Sequence, residues 1–475
     1  MPRAVIVGGG VAGLMAAMAL RPLGYRVRVL ERDTIPIPAS VAAANDGWVR
    51  PTVPQALHSH AFTGLGMGLL RKRALEVYAT LLAAGAWEID LAGALPAPLR
   101  DGPVVADPDL VVLACRRRTL DWVLARTARR LGVTVHRGEV VRGLVLSGSG
   151  EPKVIGVRLA GGAVAEADVV IDATGQRAAS RRWLADAGLA VAPDETWSGE
   201  FVCYTRFYRC IGEGLPGPLN RGNAAGGVFG HYMAFVHPGD NGTYSIGIGV
   251  LPGDPALRAL RDEKVFAAVA EATPLLAPWA AADAGVPVSP VHAMTTPDNA
   301  VHGVATSRQR PVAGLFPIGD AACVTNPLYG RGVALAIAHA FRLAEVLADE
   351  PEPGARQSAR AAELVESLLV PWVRQAVDDD LERIRRWRMT VLGEDPPPLP
   401  DGHLGLGAAT LASAFDATVW RGLARVQMSY DSPACFYGVP AMRARIRAAL
   451  DGREPPVVPA PGREELLRVI EGAVR

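Results

Sequence analysis

Ala4-Val5-Ile6-Val7-Gly8-Gly9-Gly10-Val11-Ala12-Gly13 lies near the start of the chain, and its reading decides the fold. The first four residues form an apolar β-type run, and the glycines follow at once. An alanine-rich helical stretch runs from 14 to about 20, and a second strand, Arg26-Val27-Arg28-Val29-Leu30, ends on Glu31. Gly8, Gly10 and Gly13 thus take the G-x-G-x-x-G positions of a βαβ unit. There Gly8 permits the tight turn, Gly10 lets backbone approach a pyrophosphate, and Gly13 lets helix pack on strand. The helix N-terminus, at Val11 and Ala12, offers free N–H groups to phosphates. Glu31, about twenty residues on, is placed to accept a hydrogen bond from a ribose 2′-hydroxyl. Strands, glycines, helix and acid together point to an adenine dinucleotide.

Composition bounds the rest. A chain of 475 residues predicts two or three domains. With 49% hydrophobic and 20% charged residues it reads as a well-buried enzyme, not a disordered chain. A formal net charge of +1 gives no reason to expect nucleic-acid binding. The five cysteines show no C-x-x-C pairing and no metal-ligand spacing with histidine, so reduced thiols and no metal are expected. Met1 leads straight into the first strand, and no apolar run is long enough to span a bilayer. A cytoplasmic protein without integral membrane association is the expectation.

Further along, a Pro- and Ala-rich loop leads through Arg50-Pro51-Thr52-Val53-Pro54-Gln55-Ala56-Leu57-His58-Ser59-His60 to a predicted helix at 64–82. A strong helix at 118–131 places Leu120, Val123, Leu124 and Ala128 at helical spacing. Strands at 133–136, 140–146 and 154–159 read as a β-meander. The segments 201–210, 232–236 and 243–250 read as a second sheet, with Asn241-Gly242 as a hairpin turn. Beyond Glu350 the pattern is mostly helical.

Three later segments repeat the strand-to-glycine-to-helix logic. Gly319-Asp320-Ala321-Ala322 ends a strand, and Asn326-Pro327-Leu328-Tyr329-Gly330-Arg331-Gly332 opens the next helix. An Asp there can accept from a sugar-alcohol hydroxyl, such as the ribityl chain of a flavin. The helix N-terminus suits the negative charge of reduced flavin, by about 0.3–1 kcal/mol when exposed and up to about 2 when partly buried. Cys115-Arg116-Arg117-Arg118-Thr119-Leu120-Asp121-Trp122 puts a guanidinium at a strand-to-helix junction. Arg117, three residues before Leu120 on the buried face, is the candidate for a pyrophosphate or flavin edge. At Asp172-Ala173-Thr174-Gly175, the last two residues allow close backbone approach beside a cofactor.

In this order the motifs resemble the single-component FAD-dependent monooxygenases of the para-hydroxybenzoate hydroxylase fold. Several are similar to motifs of the bacterial flavin epoxidases of polyether antibiotic pathways. They are Val53-Pro54-Gln55 with His58-x-His60, Cys115-x-Arg117 with Leu120-Asp121-Trp122, and Asn326-Pro327-x-Tyr329-Gly330-x-Gly332. Val377-Asp378-Asp379 and Val457-Val458-Pro459-Ala460-Pro461 complete the set. The resemblance implies an α/β fold with a Rossmann-type FAD-binding domain (GR2 type) in segments 1–75, 111–190 and 296–350. A β-sheet substrate domain would take segments 76–110 and 191–295, and a C-terminal helical region 351–475. FAD would be held by Gly8, Gly10, Val11, Ala12, Gly13, Glu31, Arg32, Arg50, Arg117, Val140, Thr174 and Gly175 from the first half. Gly319, Asp320, Gly330, Gly332 and Val333 would hold it from the second, with Pro327, Tyr329 and Gly330 beside the reacting atoms.

The implied reaction inserts one oxygen atom from O2, through a flavin C4a-hydroperoxide, into a large apolar natural product. Epoxidation of a polyketide or terpenoid alkene is the leading form, since an alkene needs no protein base whereas a phenol would benefit from one near pH 7. Thr174-Gly175 stands where the aromatic hydroxylases usually carry Asp-Gly, and no second G-x-G-x-x-G unit follows a strand. NAD(P)H bound transiently, or a separate flavin reductase, is therefore the expected electron source. None of the nine tryptophans sits in the W-x-W-x-I-P segment of flavin halogenases. The alternative is a flavin-dependent reductase or dehydrogenase of the geranylgeranyl-reductase type. In the second sheet Tyr204, Arg206 and Tyr208 alternate onto one face, and Phe201, Cys203, Thr205 and Phe207 onto the other. Alternation leaves open which face lines the pocket; the first set is carried forward as the candidate substrate contacts. His58 and His60 belong to a loop expected over the flavin ring.

Overall fold

The computed structural model describes residues 1–100, 109–147, 151–220, 222–453 and 458–475; Val457 of the proline-rich tail lies outside them. In chain order the elements that position the site begin with β1 (Arg3–Val7), α1 (Val11–Leu20), β2 (Arg26–Glu31), α2 (Arg117–Arg130), β3 (Thr134–Arg137) and β4 (Val169–Asp172). There follow β5 (Val202–Cys210), β6 (Ala225–Val228), β7 (Tyr232–Pro238), β8 (Thr243–Val250), α3 (Glu263–Ala272) and β9 (His292–Thr295). Last come β10 (Leu315–Pro317), α4 (Gly332–Asp349), α5 (Val370–Leu392) and α6 (Arg463–Val474).

β1 is the middle of a five-stranded parallel sheet in the order β10-β4-β1-β2-β3. Its apolar run is continuous because both faces are covered. Ala4 and Ile6 pack with α1, α2 and α4, whereas Val5 and Val7 pack with Val154, Val157, Trp183 and Leu184 on the opposite side. α1 is buried nearly all round, which its alanine-rich sequence allows.

The second sheet is antiparallel, in the order β6-β7-β8-β5, and both Gly285–Pro287 and β9 pair with the far edge of β5. Asn241 and Gly242 have φ of 51° and 63° in the β7–β8 turn, the positive pair that a two-residue hairpin of primed type needs. That turn is fastened to the first unit: Asn241 Nδ2 donates to Ala84 O at 2.9 Å, and Arg116 Nε to Asp240 Oδ1 at 2.9 Å.

Three expectations are corrected. The stretch at 133–136 contributes β3 to the parallel sheet, and the meander consists instead of Val141–Leu146, Val154–Leu159 and Val164–Glu166. The single helix at 64–82 is two helices, Gly64–Arg73 and Leu75–Ala83, broken where Ala74 leaves helical geometry. α6 does not join the other C-terminal helices; Leu466 and Ile470 pack with Val265 and Phe266 of α3 beneath the second sheet. Among the described residues no helix is long and apolar enough to cross a membrane, and the five cysteines are unpaired.

Candidate functional site

Gly8 has φ of 113°, and a Cβ there would run into the Ala173 carbonyl oxygen. A Cβ on Gly13 would strike the Gly8 carbonyl oxygen. Only glycine lets α1 approach the ends of β1 and β4 this closely. Gly10 differs from both, since no heavy atom lies within 4 Å of where its Cβ would stand. It caps α1 without a side-chain hydrogen bond, so the first-turn N–H groups of Val11, Ala12 and Gly13 receive no capping acceptor from it. That cradle fits a pyrophosphate. The Val11 side chain is buried in the core, so only its backbone could serve a ligand.

Beside the cradle lies a buried set of charges. Glu31 accepts from Gly9 N at 2.7 Å and Asp33 N at 2.8 Å. Glu139 N bonds Glu31 O at 3.0 Å, which puts Val140 next to the end of β2; Arg32 points to solvent. Arg50 Nη1 and Arg117 Nε each donate at 2.8 Å to Asp121, one to each oxygen. Burial works to raise the Asp121 carboxyl, but Arg117 and Arg50 outweigh it and hold it below its ordinary value. Arg50 Nη2 reaches Gly9 O at 3.4 Å, while Arg50 Nε, buried and without a hydrogen bond, has only the longer ion pair to Asp33 Oδ2 at 3.8 Å. Such a donor costs about 1–3 kcal/mol unless an acceptor fills it. An anionic cofactor at the cradle would supply one.

The remaining glycine turns converge here. A Cβ on Gly319 would come 3.0 Å from Ala12 Cβ, and Gly319 N donates to His339 Nδ1 at 3.2 Å. Gly319, Asp320, Cys323, Thr325 and Gly332 line one recess, and Gly332, like Gly10, has open space where a Cβ would stand. Val333 is buried in the core. The Asp320 carboxylate receives no hydrogen bond from the described residues, and burial pushes its pKa up despite the nearby Arg117. An unspent acceptor beside an open helix N-terminus fits a polyhydroxyl chain. These observations make FAD compatible with the residues present.

Thr174 and Tyr329 each spend the side chain's hydroxyl on the protein itself. The Thr174 hydroxyl donates to Asp172 Oδ1 at 2.6 Å and accepts from Ala179 N at 3.0 Å, so its side chain closes its own turn; Gly175, with φ of 70°, has open space where a Cβ would stand. Tyr329, expected beside the reacting atoms, gives its hydroxyl to Asp380 of α5 at 3.0 Å. Pro327 is exposed, and Gly330, with φ of 65°, abuts Ala61 of the histidine loop.

The expected substrate contacts are also corrected. Tyr204 and Tyr208 pack with Tyr232, Tyr244, Phe266 and Trp279 on the helix-covered face of the second sheet, and Arg206 pairs with Glu263 of α3. The opposite face of β5 meets the first unit. His58 Nδ1 lies 3.0 Å from Thr205 Oγ1, and Ser59 Oγ donates to Ser245 Oγ at 2.7 Å. On this face Phe201, Cys203, Met233 and Trp387 form an apolar cluster with Val228, Phe235, Leu328 and Val391 packed against it. Leu328 belongs to the turn that opens α4, so the cluster spans from that turn to the sheet. Gly247 and Gly249 make room for it, because a Cβ on either would meet the Phe235 or Phe201 ring.

Both loop histidines are weak bases. Burial, then His292, lowers the His58 pKa to about 4. Burial, then Arg117, lowers that of His60 to about 3, and Arg117 Nη1 sits 3.2 Å from its Nε2. Sequence reasoning quoted Asp121 within a motif but gave it no role, and passed over Asp380. Asp121 was findable, because Arg117 and Asp121 stand four apart on one helix face. Asp380 gathers partners from distant segments and left no local signal.

Residues 3–102 match the family model of FAD dependent oxidoreductases (DAO). A curated relative, the rifampicin monooxygenase of Streptomyces venezuelae, is 28% identical over 346 residues, which is 73% of this chain and 64% of that protein. The match thus spans less than two thirds of the relative's length. Among solved structures, a flavoprotein/dehydrogenase from Cytophaga hutchinsonii is similar with a TM-score of 0.62 at 14% identity, covering 95% of this chain and 100% of that one. A triple mutant of the flavin-dependent brominase Bmp2 gives 0.58 at 16%, covering 95% and 99%. The chain shares the fold of these flavoprotein structures, with a Rossmann-like parallel core, a separate antiparallel sheet and C-terminal helices.

Proposed function

We propose that the protein is an FAD-dependent monooxygenase that transfers one oxygen atom from O2 to a large apolar natural product, by epoxidation of a polyketide or terpenoid alkene. The observation that carries this reading is the apolar cluster between the α4 turn and the second sheet, formed by Phe201, Met233, Phe235 and Leu328, with His58, too weak a base to take a phenol's proton at neutral pH, held to Thr205 on the same face. A phenol needs its proton removed; an alkene does not.

In this reading α1, Glu31, Arg50 and Arg117 hold the dinucleotide, with Arg32 and Val140 at its adenosine end. Asp320 and the N-terminus of α4 hold the flavin half, and Gly175 gives it backbone clearance. Bound FAD supplies the activation of O2, with electrons from NAD(P)H or a separate flavin reductase. The chain's own part is to bind, orient and exclude water. Apolar walls hold the double bond at reacting distance, roughly 3–3.5 Å, and keep the reaction dry.

The test is turnover of the FAD-loaded, chemically reduced protein with candidate polyenes under 18O2, read by mass spectrometry. Product carrying one 18O supports the reading. A product two hydrogens heavier without added oxygen would establish the reductase class instead.

A further inference from the structure

One buried carboxylate is left without a task by the functional reading. Asp380, in α5, is 1% exposed and accepts hydrogen bonds from Asn326 Nδ2 at 2.9 Å, Asn299 Nδ2 at 2.8 Å, Tyr329 Oη at 3.0 Å and Arg383 Nη2 at 2.8 Å. These donors come from separate parts of the chain. Asn326 and Tyr329 belong to the turn that opens α4. Asn299 lies where the chain returns from the second sheet, and its Oδ1 accepts from Asn326 N at 2.7 Å. Arg383 also donates to the carbonyl oxygens of Gly199 and Glu200, where the chain enters that sheet. A Cβ on Gly199 would stand 2.9 Å from Asn326 Nδ2, so this crossover is pressed against the turn.

A buried carboxylate is a costly way to gain stability, and its best-attested use is to fix a register. Here the register joins three things: both connections between the dinucleotide unit and the second sheet, and the turn between them. We propose that Asp380 is a positioning residue that sets the α4 N-terminus, and with it the flavin environment, against the apolar cluster of the second sheet. This rests on the proposed function only for the place of the flavin. With the contacts intact, the α4 N–H groups stabilise the negative charge of reduced flavin; with the turn loosened, they do so less.

The test loads FAD into the wild type and into Asn299→Ala, Tyr329→Phe and Asp380→Asn, and measures midpoint potential, visible spectrum and Tm. The first two variants change no charge, so a potential shift in them reports position. The expected result is retained FAD, a lowered midpoint potential and shifted visible bands in Asn299→Ala, with a smaller change in Tyr329→Phe. Aerobic turnover should show at least a fivefold rise in the ratio of peroxide to oxygenated product. Should Asn299→Ala not fold, Tyr329→Phe, which loses a single hydrogen bond, carries the decision. Variants with a lower Tm but wild-type potential and spectrum would make Asp380 merely structural and overturn the proposal, as would no change at all. The potential requires no substrate. Absence of any oxygenated product from the wild type would therefore count against the monooxygenase reading and leave this test standing.

Discussion

Asp320, half-buried, and Asp379, fully buried, are carboxylates in opposite situations. Asp320 has an unspent acceptor facing the recess at the α4 N-terminus. A hydrogen bond to a charged group contributes about 1.5–3 kcal/mol, so Asp320→Ala should weaken FAD binding by roughly 10–150-fold. Fluorescence titration of the apoprotein with FAD measures this, and a stoichiometrically yellow purified variant would contradict the assignment. Asp379 Oδ1 accepts from Gln375 Nε2 at 2.8 Å, while Oδ2 has no hydrogen-bond partner and stands 4.0 Å from Arg331. Burial pushes its pKa up to about 7, against the pull of Arg331. The unfolded chain releases this proton near pH 4 and the folded chain keeps it to about pH 7, so the native state binds more protons between those values. Stability falls as pH rises through that window, by at most about 4 kcal/mol. Urea melts of wild type and Asp379→Asn should show a stability difference that changes from pH 4 to 7 and is flat above it. A difference flat across the whole range would contradict this. The glycine roles at this scale were legible in the sequence, because spacing alone determines which backbone must turn and which must stay open.

For the elements, legibility depended on whether the pattern breaks a symmetry. β1 reads as a strand from its four apolar residues, and the Asn241-Gly242 hairpin from its dipeptide. β5 has bulky residues on both faces, so alternation gives the two faces and not their neighbours. The neighbours are α3 and α6, and α6 lies more than 250 residues beyond β5 in the chain. The break at Ala74 has no Pro or Gly at the residue itself, and the pattern at 133–136 fits a parallel edge strand as well as a meander. The corrected face of β5 has a consequence. Arg206→Ala removes an ion pair with a half-exposed Glu263, a pair worth about 1 kcal/mol at most. It should lower stability by about that amount and leave KM within twofold. Gly247→Ala, which crowds the Phe235 ring, should raise KM several-fold. Denaturant melts and product-formation kinetics on the two variants check this, and the reverse pattern would return the pocket to the Tyr204 face.

At the scale of the whole molecule, the two units are laced together: Arg116 to Asp240, His58 to Thr205, Ser59 to Ser245, and the Asp380 network. The first three of these pairs are more than 120 residues apart in sequence, and within the Asp380 network Asn299 and Asp380 are 81 apart, which is why the interface could not be read in advance. The proposed cofactor half of the site is built from local motifs and the proposed substrate half from distant contacts. The fold leaves the reaction open, since solved proteins similar to this one include a brominase and a flavoprotein/dehydrogenase. What separates oxygen transfer from plain oxidation is the fate of reduced flavin once O2 arrives. The deciding measurement is rapid mixing of the anaerobically reduced, FAD-loaded protein with O2, with a polyene bound, following flavin absorbance. The expected result is a resolved, spectrally distinct phase between reduced and oxidised flavin, with little peroxide released. Direct return to oxidised flavin with stoichiometric H2O2 would contradict the monooxygenase account.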